Sequence, residues 1–163
     1  MARRVVFTAG IIVICAALQF SVVHYLAVRG VAPDLLLVVT VSIGLLSGPR
    51  AGMAAGFGGG LLEGALLGAW IGVYAGAKTV AGYFAGETGR RVFAENLLVI
   101  VGAVAVLTLV HEAIYDVFAR PAGLWPMITY AIARAAYNGG SAVVVGAGLR
   151  RARRLLPPEE VGA

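Results

Sequence analysis

The sequence predicts an all-α, polytopic membrane protein, folded as one compact bundle of six transmembrane helices. Three observations lead there. Of 163 residues, 60% are hydrophobic and only 13% charged, with a mean hydropathy of +0.91; a water-soluble domain carries about 25% charged residues. The apolar residues fall into six runs broken by arginine, glycine and proline. The basic residues alternate across those runs as membrane topology requires.

The first span, residues 5–28, follows Arg3 and Arg4. It is too long for a removable leader and lacks a small-residue cleavage site, so it reads as a retained anchor. The second, 33–48, begins with Pro33 at a natural first-turn position. Gly48-Pro49-Arg50 breaks the chain. The third covers 51–68 and the fourth 70–85. The fifth runs over 95–118 and is stopped by Arg120-Pro121; Trp125-Pro126 opens the sixth, 126–149. These six form a single domain, 1–149, and residues 150–163 form a basic cytoplasmic tail expected to fray. Spans two to four are short against the roughly 20 residues a bilayer needs, so steep crossing or local thinning is expected.

With the N-terminus inside, nine arginines face the cytoplasm: 3, 4, 50, 90, 91, 150, 151, 153 and 154. Two, Arg29 and Arg120, face outward. Both termini are therefore expected in the cytoplasm of a bacterial inner membrane protein. Trp70 and Trp125 then both fall at the outer interface, where aromatic belts sit.

The same distribution argues against nucleic acid as the partner of the net +5 charge. Two histidines with no Cys or carboxylate at ligand spacing argue against a metal site, and Cys15 lies in an apolar run where it packs. No cofactor is expected. Nor is catalysis: residues 56–61, GFGGGL, follow no strand, and His111-Glu112 lacks the second histidine of a zinc-protease helix.

Glycines stand four apart at Gly52, Gly56, Gly60, Gly64 and Gly68. Small residues let helix backbones approach in lipid, so these positions are expected to pack closely. Each four-residue step lags by about 40°, so the row winds about 160° around the third span. It is therefore expected to present thin walls in more than one direction, at a crowded central place. A channel wall would want rings of polar side chains, and this span offers only Glu63.

Charged residues at depth are costly and usually turn inward to pair. Glu63, Lys78, Glu112, Asp116, Arg134 and Asn138 form the expected intramembrane polar cluster. Glu63 is expected to pair with Lys78 or Arg134, and Glu112 or Asp116 with the remaining cation. Asp34 is expected to cap the second helix, with Arg29 beside it. At the cytoplasmic face, Arg150, Arg151, Arg153 and Arg154 anchor topology and suit anionic lipid headgroups or an acidic partner.

Residues 32–86 resemble the core of the rod shape-determining protein MreD family. The resemblance lies in Pro33-Asp34, Gly56-Phe57, Gly60-Leu61-Leu62-Glu63, Gly72, Ala77-Lys78, and Gly82-Tyr83 with Gly86. Glu63 stands where that family usually has Asp. The resemblance implies a non-enzymatic scaffold of the bacterial cell-elongation machinery that helps organise peptidoglycan synthesis. It implies binding to MreC, a bitopic membrane protein, with MreB, RodA and its transpeptidase as further partners. It also implies a bundle similar to the substrate-binding subunits of energy-coupling-factor transporters. A vitamin-type binding subunit of that kind is the alternative, with a polar pocket lined by Glu63, Trp70 and Asp116.

Overall fold

The computed structural model describes residues 2–92, 96–119 and 123–153. They form six α-helices: α1 (Ala2–Ser21), α2 (Leu35–Ser47), α3 (Pro49–Leu67), α4 (Ile71–Gly89), α5 (Leu97–Ala119) and α6 (Leu124–Arg153). A 3₁₀ turn, Val23–Leu26, follows α1. No strand occurs among the described residues beyond an isolated bridge, Val28 to Val31.

Helix boundaries differ from expectation where local chemistry intervenes. The first helix stops at Ser21 instead of residue 28. The Gln19 amide donates to the Pro33 carbonyl at 3.1 Å and accepts from the Leu35 N–H at 2.8 Å, so the chain must turn back within reach of it. Helix α4 continues to Gly89. Helix α6 starts two residues before Pro126, which the first turn tolerates because its missing N–H has no helical acceptor there. It also runs on through Arg150 and Arg151 to Arg153, a stretch expected to fray. Arginine is a good helix former, and cations in a last turn complement the helix dipole. Arg154 and the rest of the tail lie outside the described residues, as do residue 95 and the Arg120-Pro121 stop.

The centre of the bundle is α2. Its ten residues from Leu36 to Leu45 are all buried, with no exposed face. A helix apolar all round belongs inside. It packs against every other helix, and α3 against α4 makes the most extensive contact. The expectation that α3 holds the central place is therefore corrected: Met53, Phe57 and Leu61 give α3 an exposed face.

The glycine row is corrected in a second way. A Cβ at Gly52, Gly56, Gly60 or Gly64 would collide with α4 backbone at Gly82, Lys78, Tyr74 and Ile71 respectively. One partner thus meets all four, and Gly52 also lies against α2 backbone at Gly44, so at that position the wall is thin in two directions. The row does wind, but rows of residues four apart incline to the helix axis, and an obliquely crossing helix lies along them. Gly68 does not pack at all. A Cβ there would meet open space, and its φ of 67° closes α3 in the left-handed conformation.

Charge is buried within the apolar core, and large apolar side chains are exposed. Lys78 is fully buried, while Tyr25 is 83% and Leu98 79% exposed. Helix α5 is the one helix among the described residues long and apolar enough to cross a membrane by itself; α1 and α2 contain shorter apolar stretches. Glycine and buried charge lower the hydropathy of α3, α4 and α6.

Candidate functional site: a buried ion-pair network

Alternating antiparallel helices bring the start of α2, the end of α3, the first half of α4, the second half of α5 and the first half of α6 to one level. Each contributes a polar side chain. Lys78 of α4 sits at the middle. Its Nζ lies 2.5 Å from Asp34 Oδ2 and 2.7 Å from Glu63 Oε2. The second contact is an ion pair without hydrogen-bond alignment, since Glu63 Oε2 has no partner that meets that geometry.

His111 Nε2 lies 3.4 Å from the same ammonium, and its Nδ1 lies 3.2 Å from Glu112 Oε1. Lysine can only donate, so Nε2 must carry the lone pair; Nδ1–H is then the donor to Glu112. Arg134 Nη1 donates to Glu112 Oε1 at 2.9 Å, and its Nη2 stands 3.7 Å from Asp34 Oδ2. Asn138 accepts from the Asp34 backbone N–H at 2.7 Å and donates to Thr108 Oγ1 at 3.0 Å.

Asp34 is therefore the residue that sequence reasoning placed too modestly. It does cap α2, accepting from the Leu37 N–H at 2.8 Å. That uses one oxygen. A carboxylate has two, and Oδ2 takes Lys78. Arg29, expected beside it, is exposed on the connecting turn, and the cations near Asp34 are Lys78 and Arg134. His111 was also missing from the expected cluster. The available signal was polarity: like Glu63, Lys78 and Arg134, His111 is a polar side chain inside an apolar run.

Of the expected cluster, Glu63, Lys78, Glu112, Arg134 and Asn138 come together in this network. Asp116 is buried on the same helix as Glu112, one turn further on. Arg150 and Arg151 lie at the far end of α6, away from it.

The arrangement ties five helices together. Three carboxylates, two cations and an imidazole interlock across α2 to α6, each carboxylate lying within ion-pair distance of a cation, and Gln19 ties α1 to the start of α2. Removing an ion from water costs several kcal/mol, and attraction between close partners offsets that only when each remains paired. Among the described residues, no group of three His, Cys, Asp or Glu side chains is placed to hold a metal ion.

The family model of the rod shape-determining protein MreD matches residues 1–134. No curated protein and no solved structure matches the chain. The match spans α1 to α5 and the first part of α6, including every network residue except Asn138. The chain belongs to the rod shape-determining protein MreD family, a family of membrane proteins with a role in rod shape determination.

Proposed function

We propose that the protein is a six-span scaffold of the bacterial inner membrane, with both termini in the cytoplasm. It binds MreC and helps organise peptidoglycan synthesis during cell elongation, without catalysing a reaction itself. The observation that carries the membrane reading is the burial of paired charges beneath an outer surface covered by large apolar side chains. In water that surface would aggregate; in lipid it is ordinary, and the buried ions account for the low hydropathy of three helices.

The scaffold reading draws support from the closed network. Its side chains engage one another, which suits a part that holds shape. The vitamin-binding alternative is weaker, because its expected lining is dispersed: Glu63 is engaged by Lys78, while Trp70 stands 52% exposed at the start of α4. The test is affinity isolation of the full-length protein from native membranes in mild detergent. MreC is expected to co-purify, and vitamins are expected to leave the thermal midpoint unchanged. Isolation of folded protein without MreC sinks the scaffold reading.

A further inference from the structure

A second feature lies outside the network. A cavity of about 880 Å³ opens between the α1–α2 connection and the outer half of α6. Its long wall is one face of α6, formed by Pro126, Thr129, Tyr130, Ala133 and Tyr137. Small Thr129 and Ala133 make a floor between two tyrosines. The opposite wall is Val28 and Val31, and Arg29 is the one charged residue among the described residues of the lining.

Arg29 is held there by the backbone. Val28 and Val31 exchange hydrogen bonds of 2.9 and 3.0 Å, closing a two-residue turn over Arg29 and Gly30. Both central residues have positive φ, 52° and 82°, as a type I′ turn demands. Gly30 adopts this freely. Arg29 does so against its steric preference, where Asn or Gly would fit better. The Tyr137 hydroxyl donates to the Leu26 carbonyl and anchors the other side of the connection.

We propose that this groove binds an anionic lipid of the outer leaflet, with its phosphate at Arg29 and an acyl chain against Tyr130, Ala133 and Tyr137. Two dimensions argue for that occupant. Trp125, exposed beside Pro126, marks the headgroup level. From Pro126 to Tyr137 the helix rises about 16 Å, the depth of one leaflet of a roughly 30 Å core. The groove thus offers Arg29 to a phosphate and an otherwise largely apolar lining along one chain length, and water would fill such a lining poorly. The proposal rests on the six-span reading and its orientation.

The test uses the full-length protein in detergent, with native mass spectrometry against phosphatidylglycerol and phosphatidylcholine of identical chains. Phosphatidylglycerol is expected to be retained about fivefold more, the preference one arginine near a headgroup supplies. Arg29→Gln is expected to bring the ratio to about one with both lipids still bound. Ala133→Trp, which fills the floor, is expected to lower retention of both. The double variant Arg150→Gln/Arg151→Gln is the control for the cytoplasmic face and is expected to keep the ratio. Equal retention by the unaltered protein, an Arg29→Gln ratio that does not fall, or loss of preference only in the tail variant overturns the proposal. Labelling of Arg29→Cys by an impermeant thiol reagent in intact cells reads orientation separately. Lipid preference that depends on Arg29, without labelling from outside, overturns the outer-leaflet assignment alone.

Discussion

Lys78 shows how one side chain can organise a membrane interior. It is fully buried and touches two carboxylates and an imidazole, so its replacement leaves Asp34 and Glu63 without their shared cation. Lys78→Met is expected to cost about 3–5 kcal/mol, seen as a lower thermal midpoint in detergent. Adding Glu63→Leu is expected to recover part of that loss, because one uncompensated charge disappears. Strict additivity of the two variants would show that the residues do not interact. Asn138 acts more weakly. Asn138→Leu strands the Asp34 N–H and removes the donor to Thr108, an expected cost of about 1–3 kcal/mol by the same measurement. The sequence made the need for pairing legible at Glu63, Lys78 and Arg134, since buried charges must be compensated. It did not make Asp34 legible as a partner, because capping alone already accounted for an aspartate after Pro33.

At the level of elements, the interface between α3 and α4 governs the packing. Glycine at 52, 56, 60 and 64 brings the two backbones together, and dispersion contacts between them replace the hydrophobic drive that lipid removes. Gly60 faces Tyr74 and Ala75 backbone, which has nowhere to move, whereas neighbouring Leu61 is 37% exposed. Gly60→Leu is expected to cost about 3 kcal/mol or more, and Leu61→Ala less than about 1. Equal thermal stability of the two variants would refute the close-packing argument. Gly68 separates conformation from contact. Its Cβ position is open, so Gly68→Ala tests the left-handed φ alone, with an expected loss of about 1 kcal/mol. The four-residue spacing was visible in the sequence, but the common partner was not. Winding is a property of one helix, whereas crossing angle is a property of two.

For the whole molecule, the proposed six-span topology rests on the exposed apolar surface for its solvent and on the alternating arginines for its orientation. Single cysteines placed at the C-terminal end of α6 and at Trp70 test it, in a background with Cys15 replaced. The Trp70→Cys variant is expected to label in intact cells with an impermeant thiol reagent, and the α6 variant only after lysis. Labelling of both from outside would break the six-span reading. The alternating direction of successive helices also explains why the network forms at one level of the bundle. Polar residues at the start of α2, late in α3, early in α4, late in α5 and early in α6 meet because those helices alternate in direction.

By itself, the sequence determined the solvent, the helices and the obligation to pair buried charges. Those follow from composition, from apolar run length and from the cost of an ion in lipid, all of which can be read along a line. The tertiary structure decided the rest: α2 at the centre instead of α3, α4 along the whole glycine row, and Asp34 and His111 inside the network. Each depends on the rotation of a helix about its own axis and on the angle at which it crosses its neighbour. Those quantities are set by all six helices packing together, and no single segment of the chain encodes them.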